Sequence, residues 1–271
     1  MKIAVYIGIG ETGQPLDSRV EGLLAELRNA EFEVVMTGED GAGLAGCDFL
    51  LSVGGDGTFL TASMMSAASG VPVVGVNVGR VGFLSENRPD EVAKALLSGD
   101  YVVEERPFLK ADLDACDAFW PYAFNEFTVH RSGAAMLGVD VDIDGISLPT
   151  YWADGLILST SSGSTAYSLS AGGPIVLPDA SVLTLTPIAP HNLNMRPLVL
   201  PSGAVVTMTV HSRDSKVIFT ADNRTMEISD GEKIRMSVAQ FSLKRVRLNS
   251  SNFINALTEK LFWGEDVRNI K

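Results

Sequence analysis

Five consecutive residues, Gly54-Gly55-Asp56-Gly57-Thr58, set one carboxylate among three glycines. They follow the apolar run Phe49-Leu50-Leu51-Ser52-Val53 and open a helical pattern. Glycines at such a place let the backbone turn tightly and expose its N–H groups, and a helix start adds a positive dipole, which suits phosphate. An acid in that loop opposes anion binding unless it does chemistry or meets a metal. The run lacks the Lys-Ser/Thr ending of a Walker A loop, so it is not an ordinary P-loop. The competing reading is a capped turn with Asp56 as the N-cap.

Two further clusters carry polar groups where the surroundings are apolar. Asn125-Glu126 lies within the aromatic and aliphatic stretch 119–129, and a buried pair of that kind needs hydrogen-bond partners or a polar ligand. Asp154-Gly155 precedes Leu156-Ile157-Leu158, which runs into a hydroxyl-rich loop from Ser159 to Pro174 containing Thr165, Ala166, Tyr167, Ser168, Leu169 and Ser170. Hydroxyls and free N–H groups hold a nucleotide without positive charge.

Other patterns are weaker. Gly8-Ile-Gly10-Glu-Thr-Gly13 is a formal GxGxxG, but Gln14-Pro15 and Asp17-Ser18 intervene before the apolar helix face, so it reads as a glycine-containing loop. Asp140-x-Asp142-x-Asp144-Gly145 imitates an EF-hand start, yet Tyr151 stands at the twelfth position and the flanks are strands; the carboxylates read as a solvated strand face. The histidines His130, His191 and His211 are dispersed and give no metal or triad spacing. Two cysteines, Cys47 and Cys116, share no CxxC motif and fit a reducing compartment.

The elements that must position these residues fall into two textures. Before Pro107, strands at Ile3–Ile7, Glu33–Met36, Phe49–Val53 and Val71–Val76 alternate with helices at 16–30, 58–68 and 90–98, which argues a covered parallel sheet. After it, Val139, Val141 and Ile143 alternate with Asp140, Asp142 and Asp144, and Asp144-Gly145 supplies a hairpin turn. Segments 204–210, 216–220, 233–238 and 241–248 behave alike, which predicts an antiparallel β domain. A helix at 252–262 follows, with Phe253, Leu257 and Leu261 on one face. The 271 residues carry 21 Lys and Arg against 33 Asp and Glu, a net charge of −12. So acidic a chain argues against nucleic acid and anionic membranes as partners, and the short apolar run at its start against a signal peptide; the cytoplasm is the expected location.

Together, Gly54 to Thr58, Asn125-Glu126 and Asp154 to Pro174 resemble the bacterial NAD kinase family. The stretches Gly75-Val-Asn77-Val-Gly79-Arg80-Val-Gly82-Phe83-Leu84, Pro187 to His191, Arg196-Pro197-Leu198 and Leu261 to Arg268 are similar to it as well. Ser161, Ser162, Trp152 and Asn223-Arg224 depart from residues common in the family and leave the Gly54 loop untouched.

The resemblance implies a Rossmann-like α/β domain at 1–107 carrying the glycine loop. It also implies a β-rich NAD-binding domain at 108–250 and a final helix, 251–271, returning to the first domain, with the active site between the two. It implies phosphoryl transfer from ATP to the 2′-hydroxyl of the adenosine ribose of NAD. Asp56 would be the catalytic base, with Gly54, Gly55, Gly57, Thr58, Asn77 and Gly79 at the ATP phosphates. Asp56, Gly57, Phe83, Asn125, Glu126, Asp154, the run Thr165 to Ser170 and Ala189 would contact NAD. Mg²⁺ or another divalent metal would serve as cofactor, with no ligands assigned, in a homodimer or homotetramer. Two other readings stay open on the residues: a lipid or sugar kinase with the same glycine loop, and an NAD-dependent dehydrogenase using Gly8 to Gly13.

Overall fold

The computed structural model describes residues 1–8, 17–79, 82–113, 119–214 and 216–263. The chain divides into two compact units: Met1–Arg106 with Leu243–Lys271, and Pro107–Ser242.

The first unit begins β1 (Lys2–Ile7), α1 (Ser18–Asn29), β2 (Glu33–Met36), β3 (Phe49–Val53), α2 (Asp56–Ser69), β4 (Val73–Val76) and α3 (Pro89–Ser98). The chain continues through β5 (Tyr101–Asp112), β6 (Tyr122–Ala123), β7 (Glu126–Arg131), β8 (Leu137–Ile143), β9 (Ile146–Ser147), β10 (Tyr151–Ala153) and β11 (Gly155–Thr160). A 3₁₀ turn at Ser162–Thr165 leads into α4 (Tyr167–Ser170). Then follow β12 (Val182–Ile188), β13 (Leu198–Pro201), β14 (Val206–His211), β15 (Lys216–Ala221), β16 (Arg224–Ser229), β17 (Lys233–Leu248) and α5 (Phe253–Leu261).

In the first unit the strands run parallel in the order β2-β1-β3-β4, and Arg245 and Val246 of β17 add a further parallel neighbour to β4. Every residue of β3 is buried, as a parallel strand covered on both faces requires. Ile3, Val5, Leu51 and Val74 pack with Leu23 and Leu27 of α1 and Leu96 of α3. Asp17 caps α1 by accepting from the Arg19 N–H, and Asn252 caps α5 by accepting from the Asn255 N–H. In α5 Ala256 and Leu257 are buried, and the Phe253 ring lies 6.1 Å from that of Phe83. The expected return of the last helix to the first unit is what the structure has.

The second unit is antiparallel. One set of strands runs β13-β12-β11-β7-β15-β16; in the other, β8 pairs with β10 and β14, and β14 with the start of β17. Val139 and Val141 point into the core while Asp140 is exposed, the alternation the sequence predicts. Phe127 and Phe219 stack at 5.3 Å in the centre of this core, surrounded by Leu158, Leu185, Val206 and Met236.

The structure corrects several boundaries. Segments 233–238 and 241–248 form one strand, β17, since Ala239-Gln240 contains no breaker. Leu243 to Leu248 belongs to the first unit, eight residues before the boundary expected at 251, because Arg245 and Val246 pair with Val73 and Val74. Strand β5 runs through Pro107, where the sequence marks only a change of texture. No helix among the described residues is long and apolar enough to cross a membrane.

Phe219 is fully buried, so Phe219→Ala removes its ring from the aromatic stack. Its expected cost is about 3–5 kcal/mol of unfolding free energy. Urea titration of both proteins measures this, and a loss below about 1 kcal/mol would mean the core refills the space.

Candidate active site

The glycine turn begins where β3 ends. Gly54 has φ of +153° and donates its N–H to the Val76 carbonyl at 2.9 Å. A Cβ at Gly54 or at Gly8 would collide with the Thr58 side chain, so two glycines, one just after β1 and one just after β3, make room for one threonine. That is the structural use of Gly8; Gly10 to Gly13 lie outside the described residues. The amides of Asp56, Gly57 and Thr58 precede the first turn-closing bond of α2, from the Phe59 N–H to the Gly55 carbonyl. A Cβ at Gly55 or Gly57 would meet nothing within 4 Å, so this face of the turn is open.

Asp56 is not the N-cap. The helix begins at Asp56 itself, Gly55 is the cap, and no side chain caps it. The carboxylate turns instead to the segment after β4. Its Oδ2 accepts from the Phe83 N–H at 2.9 Å, and its Oδ1 accepts from the Leu84 and Ser85 N–H groups, both at 3.0 Å. Gly82 makes this approach possible, because a Cβ there would sit on the Asp56 carboxylate. Asn77 braces the same loop, donating from Nδ2 to the Ser85 carbonyl (3.1 Å) and accepting the Gly79 N–H on Oδ1 (2.6 Å). Lys260 of α5 lies over the Phe83 ring at 4.2 Å. Arg80 and Val81 of this segment lie outside the described residues.

The second unit holds a matching device. Asp222, at φ +52°, accepts from the N–H groups of Phe124 (2.8 Å), Asn125 (2.7 Å) and Glu126 (3.2 Å). Burial pushes the Asp222 carboxyl up, against those three donors and Arg224. Arg224 spans the Phe119 and Trp120 rings and donates to the Trp120 and Tyr122 carbonyls. Glu126, 7% exposed, is pushed up to about 8 by burial and by the neighbouring Asp222 carboxylate, which the Tyr167 N–H only partly offsets. Asn125 Oδ1 and Glu126 Oε2 are buried acceptors with no hydrogen-bond partner among the described residues. Two buried polar groups without partners on adjacent residues call for a ligand whose groups both donate and accept.

Thr160 ties the hydroxyl-rich loop to this pair. Its hydroxyl donates to the Phe124 carbonyl (2.8 Å), its N–H donates to the Asn125 carbonyl (2.9 Å), and its hydroxyl accepts the Gly163 N–H (3.1 Å). Beyond it, Thr165 donates to the Ser162 carbonyl and the Ala166 N–H to Gly163. Ser168 is fully buried against the Thr186 hydroxyl (2.9 Å), Leu169 and Ser170 complete α4, and Tyr167 is exposed. The structure thus brings Asn125, Glu126 and Tyr167 together. Asp154 instead forms an ion pair with Arg131, Nε to Oδ1 at 2.8 Å, and Ala189 sits at φ +45° after β12.

The sequence reading left out Asp222 as a site residue, although its type and its place before Asn223-Arg224 mark a turn. No group of three or more His, Cys, Asp or Glu side chains among the described residues is arranged to hold a metal ion. The Asp56 oxygens already face three amide donors, so the described residues offer no cage of their own for a divalent ion. Asp140 pairs with His211 and Thr150, in keeping with a solvated strand face.

Known proteins agree with this architecture along the whole chain. Residues 24–99 match the ATP-NAD kinase N-terminal domain and residues 124–248 the ATP-NAD kinase C-terminal domain. An NAD kinase of Flavobacterium psychrophilum is 37% identical over 82% of this chain and 78% of its own length. One from Porphyromonas gingivalis is 36% identical over 98% and 93%. The crystal structure of an NAD kinase from Archaeoglobus fulgidus in complex with ATP superposes with a TM-score of 0.77, at 30% identity over 92% of this chain and 95% of that one. Yeast NADH kinase has the same fold, with a TM-score of 0.86 at 24% identity. The chain belongs to the ATP-NAD kinase family. The comparisons lend no support to a dehydrogenase or to a lipid or sugar kinase.

The raised Glu126 carboxyl gives stability a pH dependence of definite sign. Below its unfolded value, near 4.5, the carboxyl is protonated in both states. As pH rises towards about 8 the unfolded chain releases that proton while the folded protein keeps it, so stability falls, and it levels off above about 8. Glu126→Gln is neutral throughout and removes this part of the slope. Urea unfolding at about pH 5, 7 and 9 should show the variant gaining on the parent as pH rises; parallel curves would contradict the burial argument.

Proposed function

We propose that the protein transfers the terminal phosphoryl group of ATP to the 2′-hydroxyl of the adenosine ribose of NAD, giving ADP and NADP. One observation carries the reading: a single carboxylate, Asp56, is fixed in an open glycine turn of a chain that belongs to this family along both halves. A carboxylate has about four acceptor sites. Three amides take three of them, which leaves one for the hydroxyl that must lose its proton. Asp56 orients that hydroxyl and takes its proton as the phosphorus–oxygen bond forms.

Gly54 shapes the turn that cradles the ATP phosphates, Gly55, Gly57 and Thr58 bring its open face, amide donors and the helix dipole to them, and Asn77 and Gly79 hold the adjoining loop. Phosphoryl transfer asks for positioning and charge neutralisation more than for covalent chemistry. A divalent ion such as Mg²⁺ would supply part of that neutralisation when bound. Phe83 lies beside Asp56 and contacts NAD there. In the second unit, the orphaned acceptors of Asn125 and Glu126 suit the two hydroxyls of a ribose. Thr165, Ala166, Tyr167, Ser168, Leu169 and Ser170 line the same pocket, with Tyr167 offering a ring face to a base. Asp154, paired with Arg131, and Ala189 lie at the ends of β11 and β12 away from Glu126 and would reach NAD held by a second copy of the chain. A cytoplasmic setting suits the scarcity of cysteine, and the exposed Leu198 and Val199 on edge strand β13 suit assembly into a homodimer or homotetramer.

The direct test is incubation of the purified chain with NAD and Mg-ATP, reading NADP with an NADP-specific dehydrogenase and ADP in parallel. Equal yields of both are expected. ADP without NADP would overturn the acceptor assignment.

Asp56→Asn keeps an acceptor for Leu84 and Ser85 but sets an amide NH₂ against the Phe83 N–H. Turnover should fall by roughly 10²–10⁴, with stability lower by about 1–3 kcal/mol and NAD binding retained. Calorimetry and steady-state kinetics on one preparation check this; near-normal turnover removes Asp56 from the chemistry. Asp154→Ala, which frees Arg131, should raise KM for NAD and leave KM for ATP alone. Equal changes in both would move Asp154 out of the acceptor pocket.

A further inference from the structure

The three peptide groups that hold Asp56 are held in turn from their other side. Each peptide between residues 82 and 85 points its N–H at the Asp56 carboxylate and its carbonyl at a cation. The Gly82 carbonyl, in the same peptide as the Phe83 N–H, accepts from Lys260 Nζ. The Phe83 and Leu84 carbonyls, which share peptides with the Leu84 and Ser85 N–H groups, lie 3.3 and 3.5 Å from Arg245 Nη2. Three aligned peptide dipoles are therefore clamped between two cations and one carboxylate.

We infer that Arg245 and Lys260 are positioning residues for Asp56, acting through these three peptides rather than on either substrate. The inference rests on the catalytic reading of Asp56. Physically, a cation at the carbonyl end of a peptide polarises it and strengthens the bond donated at its N–H end. It also opposes rotation of the peptide, the motion that would release the carboxylate.

Arg245 is itself built in. It is 7% exposed and pairs with Glu86 through Nη2 at 2.7 Å. Its Nη1 lies 3.7 Å from Glu104, which also pairs with Arg106 and Arg247 at 2.6 Å each. Burial pushes the Glu104 carboxyl up, but these three arginines outweigh it and hold it below its usual range. A tight turn could recruit cations merely to satisfy its carbonyls. An arginine buried deep enough to need two carboxylates of its own is a costly way to do that. Lys260 carries a similar cost, since burial pushes its ammonium down against the pull of Asp56 and Glu86.

The test is a pair of double-mutant cycles with kinetics. Arg245→Lys keeps the charge and loses the fork; Lys260→Met, on α5, leaves the arginine network intact. Each should lower kcat by about ten- to a hundred-fold, the scale of a misplaced catalytic group, while KM for NAD and for ATP stays put. In an Asp56→Asn background both losses should disappear, because the group being positioned is gone. Arg247→Gln, which touches Glu104 but not the turn, should keep the parental kcat.

Equal losses with and without Asp56, or losses confined to KM, would overturn the inference, as would unchanged kcat in both variants. If Arg245→Lys fails to fold, Lys260→Met and its cycle decide alone. Near-normal turnover of Asp56→Asn by itself would instead defeat the catalytic reading, so the two failures are told apart.

Discussion

The first unit's site depends on one carboxylate being held by three successive amides. For the Phe83, Leu84 and Ser85 N–H groups to converge on Asp56, the backbone after β4 must double back over the start of α2. That path tolerates no side chain at Gly82, and it needs Asn77 to close the loop. The positive φ of Gly54 then sets where α2 begins. A residue that looks like a helix cap in sequence is thereby turned into a tether between two βα connections. An Asp used as a cap can be exchanged for Asn at little cost, whereas an Asp receiving three N–H donors needs acceptor oxygens on both arms of its side chain.

The second unit repeats the arrangement with another aspartate. Asp222 gathers the amides of Phe124, Asn125 and Glu126, and so fixes the backbone beneath the two side chains whose acceptors lack partners. The cost is visible in both carboxyls, which burial pushes upward, Glu126 further still beside the Asp222 charge. A core that only had to be stable would avoid two buried acids side by side. Their presence is understandable where a polyhydroxylated ligand supplies the donors that the protein withholds.

Much of this was legible in the sequence, and the pattern of what was not is instructive. Residue types and spacing pick out the Gly54 turn, Asn125-Glu126 and the loop after Ser159, because each is a local violation of its surroundings. The parallel strands before residue 77 follow from apolar runs punctuated by glycine. Arg245 is invisible to such reading, and Asp222 shows only as a turn residue. Arg245 lies in a strand whose alternation of charged and apolar residues looks like an ordinary solvated face, and its burial exists only because Glu86 and Glu104 come to meet it from elsewhere in the chain. Strand β5 was hidden by Pro107, and the unity of β17 by Ala239-Gln240 at its middle, which interrupts the apolar alternation. The role of Asp56 as a tether rather than a cap depends on contacts 27 to 29 residues away, beyond any local pattern.

The boundaries between the two units fall at Arg106–Pro107 and Ser242–Leu243, inside β5 and inside β17. Neither crossing is a linker. A protease or a gene designer looking for a loop to cut will find none there, and a half-length chain would end in severed strands whose backbone groups have lost their ladder partners. Chimaeras with relatives should therefore be joined within matched strand registers, not at a hinge. By the same logic an insertion is better tolerated at the exposed turn around Gly133 or Gly145 than at either boundary.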